Sequence, residues 1–158
     1  MIKIPTRVLL VDDEKDFVEM LGLRLAEAGE QVTPAHSGRE CLQVLEKKEI
    51  DVVILDILMP GMDGIATLKE IKNRFPLVEV IMLTGHGTTE SAVKGLKLGA
   101  FDYLLKPAHF GELTAKLDSA RERKDEQASE FEKPKSNFFY GKVAIYRCQL
   151  GWWKITLK

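Results

Sequence analysis

Apolar and polar positions alternate in blocks along this chain, and the blocks have two different periods. Short runs of five to seven mostly apolar residues, rich in Val, Ile and Leu, recur at 6–11 (TRVLLV), 51–55 (DVVIL), 78–84 (VEVIMLT) and 101–105 (FDYLL), with a weaker run at 30–36 (EQVTPAH). Such runs predict strands buried on both faces. Between them the apolar residues fall at helical spacing: Phe17, Leu21, Leu25 and Ala28; Leu42 and Leu45; Ile65, Leu68 and Ile71; then Phe110, Leu113, Leu117 and Ala120. A fourth helix is predicted over TTESAVKGLKLG. Helix punctuation agrees. Ser37 and Thr88 or Thr89 stand as N-caps, Gly29 and Gly99 as C-terminal stops, and Pro76 follows the third helix. Five strand–helix units with short connections predict an α/β fold, a parallel sheet with helices on both faces.

In such sheets the ligand lies at the carboxyl ends of the strands. The first strand ends in Asp12-Asp13, the third in Asp56, the fourth in Thr84 and the fifth in Lys106-Pro107. Three acids, a hydroxyl and an ammonium therefore share one rim. Crowded carboxylates repel one another, and a hard divalent cation with oxygen ligands relieves that repulsion. A carboxylate in this company can attack a phosphoryl group, with the cation offsetting the charge that builds up. Lys106 can pair with Asp56 before reaction and with a phosphoryl oxygen after it, while Thr84 can donate to another such oxygen. The apolar third strand would then serve to fix Asp56 rigidly at its mouth.

VLLVDDE, VVILDILMPGMDG, VIMLTGHG and GAFDYLLKP resemble the motifs of the receiver domain of two-component response regulators, in order and at the expected separations, over roughly residues 5–122. The resemblance implies a flavodoxin-like (βα)5 doubly wound sheet of strand order 2-1-3-4-5. It implies Asp56 as the phosphoacceptor and Mg²⁺ (or Mn²⁺) bound by Asp12, Asp13, Asp56 and the backbone carbonyl of Leu58. Asp13 would be the more direct ligand and Asp12 would act largely through water. Thr84 and Tyr103 would be the switch residues, Lys106 the phosphate partner, and the bond before Pro107 cis. It further implies a histidine kinase or phosphotransfer protein as donor, and a surface of the fourth helix, fifth strand and fifth helix that changes on phosphorylation and can pair two copies. The TGHG wording is most similar to receivers of enhancer-binding transcription regulators or hybrid kinases.

Composition narrows the alternatives. The chain has 158 residues and a formal net charge of −1, so total charge points to neither nucleic acid nor a lipid surface. No apolar run reaches membrane-spanning length, and the N-terminus lacks a signal-peptide layout. Cys41 and Cys148 are isolated, which suits reduced thiols in the cytoplasm. A phosphatase of the haloacid dehalogenase type uses similar groups but places its nucleophile in a D-x-D pattern. Here Ile57 and Leu58 follow Asp56, and no length remains for a substrate cap. A receiver-like module that is never phosphorylated would be expected to lack the acidic pair or the lysine, and both are present. The reading is thus a signalling switch, catalysing only its own phosphorylation and dephosphorylation.

Other residues read as structural. Asp63 looks like turn chemistry, Met59 and Met62 like loop or helix packing, His86 like a loop residue, and His36 and His109 belong to no constellation. Domain limits are expected at 1–122 for the receiver and 123–136 for a charged linker at the end of the last helix, which Pro134 should stop. Residues 137–158 change character: aromatic, basic and without an acid. Val143 and Ile145 with Trp153, Ile155 and Leu157 fit one side of a hairpin turned at Leu150-Gly151. The segment is too short for an effector domain, and the expectation is a disordered or non-native tail, against a docking or nucleic-acid-contacting arm.

Overall fold

The computed structural model describes residues 3–85 and 88–132, together with the backbone of three short strands beyond them. Two compact units divide the chain, Met1–Lys124 and Asp125–Lys158. In the first, β1 (Arg7–Val11), α1 (Lys15–Glu27), β2 (Gln31–Ala35), α2 (Gly38–Lys47), β3 (Val52–Leu55), α3 (Gly64–Arg74), β4 (Glu79–Thr84), α4 (Thr89–Lys97) and β5 (Asp102–Leu105) follow in strict alternation. The last helix, α5 (Phe110–Glu132), runs across the division. All five strands are parallel, in the order β2-β1-β3-β4-β5. This is the flavodoxin-like arrangement expected.

Strand periodicity builds two core layers. Side chains alternate across a sheet, so each strand feeds both faces. Leu9, Val11, Val53, Leu55, Val80 and Met82 pack on one side with Leu42, Leu45, Leu68 and Ile71 of α2 and α3. Val8, Leu10, Val52, Ile54, Ile81 and Leu83 pack on the other with Val18, Leu21 and Leu25 of α1 and Leu113, Leu117 and Ala120 of α5. Every residue of β3 is buried, which explains its unbroken apolar run. Pro34 is accommodated because β2 is an edge strand.

The helix punctuation falls as expected. Ser37 accepts from the Glu40 amide, and Thr88, rather than Thr89, caps α4 in a reciprocal box with Ser91. Gly29 and Gly99 adopt φ of 93° and 103° just past α1 and α4, where the left-handed region favours glycine. Asp63 is the N-cap of α3, accepting from the Ala66 amide at 2.8 Å, and Met59 is buried in the first core layer.

At the amino ends of the strands, opposite the candidate site, stand buried acids. Asp51 accepts from the Arg7 amide and guanidinium at 2.8 Å and from Lys124 Nζ at 2.7 Å. Glu30 accepts from the Thr6 amide at 2.6 Å and Lys3 Nζ at 2.5 Å. Glu79 has Arg123 Nε at 3.8 Å and Lys72 Nζ at 4.0 Å. Burial raises the Asp51 carboxyl, but the hydrogen bonds from Arg7 and Lys124 outweigh it and hold the group well below the usual carboxylate range.

The charged run that the sequence marks as a linker at the end of the last helix is helical through Glu132. In the second unit, β6 (Phe139–Tyr140), β7 (Val143–Arg147) and β8 (Trp153–Leu157) form an antiparallel sheet in sequence order. Val143 is paired with Leu157 and Ile145 with Ile155, the hairpin register that the alternation suggests. β6 adds a third strand that the alternation did not suggest. Pro134, the turn at Leu150-Gly151 and His86 lie outside the described residues.

Candidate functional site

The carboxyl ends of β1, β3, β4 and β5 bring the predicted residues together. Asp12 and Asp13 follow Val11 directly. The Asp12 amide donates to Ala35 O at 3.1 Å, and its Oδ1 accepts from the Glu14 amide at 2.9 Å, so Asp12 also fixes the entry to α1. Asp12 is buried and Asp13 exposed. Asp56 stands one residue past β3, with 4 % of its surface accessible. Its amide donates to Val11 O at 3.0 Å, and the Ile57 amide donates to its Oδ1 at 2.8 Å.

One carboxylate oxygen from each of Asp12, Asp13 and Asp56 lies within 4.8 Å of the other two. Mg²⁺ holds oxygens at about 2.1 Å, so ligands on opposite sides of it stand roughly 4.2 Å apart. The three acids are therefore close enough for one such cation with small adjustment. Three carboxylates face a single ammonium there, so a bound cation would relieve their mutual repulsion. Burial pushes the Asp56 carboxyl above its ordinary range; the hydrogen bond from the Thr84 hydroxyl and the Lys106 charge oppose this, and the Asp12 charge adds to it. Asp56 is thus a carboxylate in want of positive charge.

Lys106 is placed more subtly than expected. Its Nζ donates to Asp12 Oδ2 at 2.5 Å and stands 4.0 Å from Asp56 Oδ2. Its first partner is Asp12, and Asp56 is within reach but less close. The Lys106–Pro107 bond is cis, as the resemblance implies. Thr84, the last residue of β4, is fully buried, and its carbonyl accepts from the Lys106 amide at 2.9 Å. Tyr103 packs its half-buried ring on the first core layer, and its hydroxyl is buried with no hydrogen-bond partner among the described residues. Leu58 lies in the loop after Asp56 with an exposed side chain, so no packing demand ties it there.

Two residues of the site are not singled out by the sequence. Gly64, at the start of α3, has no room for a side chain: a Cβ there would lie 2.1 Å from Asp56 O and 2.6 Å from Ile57 Cα. Its amide donates to Ile57 O at 2.8 Å, so glycine at this point lets α3 begin directly against the Asp56 loop. Phe17 brings its ring to 3.9 Å from Lys106 Nζ. Its spacing in α1 signals a core residue and nothing more.

Among the described residues, no helix is long and apolar enough to cross a membrane. Residues 8–118 match the family described as the response regulator receiver domain. The transcriptional regulatory protein ZraR of Escherichia coli K12 is 42% identical over 113 residues, which are 72% of this chain and 26% of that protein. The DNA-binding transcriptional regulator NtrC of Klebsiella pneumoniae is 43% identical over 118 residues, 75% of this chain and 25% of that one. This chain thus spans about a quarter of the length of these curated relatives. A receiver domain protein from Clostridium thermocellum superposes with a TM-score of 0.73 at 37% identity, over 77% of this chain and 98% of that one. With four strand ends delivering the acids, hydroxyl and lysine of its motifs to one rim, the chain belongs to the receiver domain family of two-component response regulators.

Proposed function

We propose that Asp56 accepts a phosphoryl group from the phosphohistidine of a histidine kinase or phosphotransfer protein, in a reaction that depends on Mg²⁺ (or Mn²⁺). The observation that carries this reading is the placement of Asp56: a buried carboxylate, raised by burial, fixed at the mouth of β3 among Asp12, Asp13, Thr84 and Lys106. Asp12, Asp13, Asp56 and the Leu58 carbonyl would hold the cation, which when bound neutralises charge on the transferring group. The N–P bond of the donor breaks as an O–P bond forms to Asp56. Thr84 and Lys106 then each donate to a phosphoryl oxygen. Lys106 needs only to turn from Asp12 toward the new group, because its Nζ already stands 4.0 Å from Asp56.

The output follows from what moves. Thr84 leaves its contact with Asp56 for the phosphoryl group, and Tyr103 follows inward of α4. The surface of α4, β5 and α5 carries the change to a partner or a second copy. Among the described residues that surface exposes Val93, Leu96 and Leu105, and Lys94 and Lys97 are also exposed on it. The relatives ZraR and NtrC are transcriptional regulators by name, and we infer an output of that type, supplied by sequence outside this receiver.

The test is incubation with acetyl phosphate and Mg²⁺, followed by intact mass. The wild-type chain is expected to gain one phosphoryl group, and Asp56→Asn none. Equal labelling of the variant would remove Asp56 as acceptor. No labelling of the wild type would favour a receiver fold used only as an interaction module.

A further inference from the structure

The Lys106 ammonium presents its donors to three neighbours. Asp12 Oδ2 lies at 2.5 Å, Asp56 Oδ2 at 4.0 Å, and the third is the Phe17 ring, its centroid 3.9 Å from Nζ. The Lys106 side chain keeps only 15% of its exposure, so the ring replaces water around the charge. Phe17 stands in the first turn of α1 and packs on the core layer that holds Val18, Leu21 and Leu113. The ring is therefore itself held in place. An aromatic face attracts a cation, most strongly where the cation has lost water; an aliphatic group of similar size fills the space without attracting it.

Lysine is a flexible point charge on a four-carbon stem. Asp12 alone would draw that charge away from Asp56. A fixed ring on its third side keeps that charge beside Asp12 and within a short turn of Asp56, so little ordering is needed when the reaction occurs.

We propose that Phe17 is a positioning residue of the phosphoryl-transfer site: its ring face holds the Lys106 ammonium, out of water, at the junction of Asp12 and Asp56 where an incoming phosphoryl oxygen meets it. The inference rests on the reading of Asp56 as phosphoacceptor. It deepens that reading by assigning to α1 a part that none of the four strand-end motifs contains.

The experiment compares rates of Asp56 phosphorylation by acetyl phosphate at saturating Mg²⁺ in wild type, Phe17→Leu, Phe17→Tyr, Lys106→Met and the Phe17→Leu, Lys106→Met double variant. Phe17→Leu is expected to lower the maximal rate about five-fold, the size of one partly desolvated cation–π contact, with the half-saturating donor concentration unchanged. Phe17→Tyr, which keeps the ring face, should retain the wild-type rate. In the Lys106→Met background the Phe17→Leu change should cost nothing further, because the two residues act as a unit. Should Phe17→Leu not fold, Phe17→Met gives the same comparison. A rate for the aliphatic variant equal to wild type, or an equal loss with and without Lys106, overturns the role of Phe17 alone. A wild-type chain that takes no phosphoryl group overturns the acceptor reading and this inference with it.

Discussion

At the scale of single residues, the site is an electrostatic problem left partly unsolved, and stability should report it. The folded-state pKa of Asp56 is raised, chiefly by burial. A carboxyl raised in this way binds its proton more readily folded than unfolded, so the ionised form weakens the fold above that pKa and the penalty fades as pH falls through it. Asp56→Asn is therefore expected to raise the urea midpoint at pH 7, with the gain shrinking toward acid pH. Mg²⁺ should stabilise the wild type instead. At 100 times its dissociation constant a cation bound only to the folded state contributes about 2.7 kcal/mol, and Asp13→Ala should lose nearly all of it while remaining folded. Urea titrations with and without Mg²⁺ check both; a variant at Asp13 that still gains the full increment would exclude it as a ligand. The identities at the rim were legible because strand ends are: an acid closing a run such as VVIL has little packing reason to be there. Phe17 was not legible, since a phenyl ring at helical spacing reads the same whether it faces only core or also a lysine. Nor was the preference of Lys106 for Asp12, which depends on how a flexible side chain is turned.

Elements differ in how tightly they are tied to this chemistry, and two glycines measure the difference. Gly64 begins α3 where an added Cβ would meet the Asp56 carbonyl oxygen at 2.1 Å. Backbone cannot yield there as a side chain would, so Gly64→Ala must shift α3 or the loop that carries Asp56. A cost of about 3 kcal/mol is expected, at the upper end for overpacking, together with slowed phosphorylation. Gly95 lies in the middle of α4, and its Cβ would find Met82 Cγ at 3.7 Å, an ordinary contact. Gly95→Ala should be neutral or stabilise by up to about 1 kcal/mol through helix propensity. Paired urea midpoints test the contrast, and equal effects at the two sites would contradict it. Gly95 is also the one buried residue of α4, so α4 is lightly anchored. Strands, caps and stops were readable to within a residue or two because capping chemistry is local. The GMDG turn was read as turn chemistry, and Asp63 is indeed the cap; the close approach at Gly64 is a tertiary fact with no local signature.

At the scale of the whole molecule, the two ends of the sheet handle buried charge in opposite ways. The carboxyl rim leaves its acids short of cations; the amino rim satisfies Asp51 and Glu30 with hydrogen-bonded partners and sets Glu79 between Arg123 and Lys72 at ion-pair distance. The strand order came from the motif resemblance, because right-handed crossovers alone allow several orders. The amino rim was not legible. RERKDE reads as a solvated end of the last helix, and only the fold shows that Arg123 and Lys124 reach Glu79 and Asp51 beneath the sheet. A boundary at 122 would remove both cations. A chain ending at Glu122 should therefore be less stable at pH 7 than one ending at Glu132. The expected difference is about 2 kcal/mol, the value of one hydrogen bond to a buried charge. It is not larger because Asp51 keeps Arg7 and Glu79 keeps Lys72. Lys124→Met in the longer chain should reproduce most of the loss. The sign with pH is fixed by Asp51, whose folded pKa is depressed. Its contribution is complete above its unfolded value, about 3.9, and disappears as pH falls through the folded one. The gap between the two chains should accordingly persist from neutrality down to about pH 4 and narrow below it. Coincident midpoints at pH 7 would mean that Arg7 alone satisfies Asp51, and that the receiver's stability owes nothing to the end of α5.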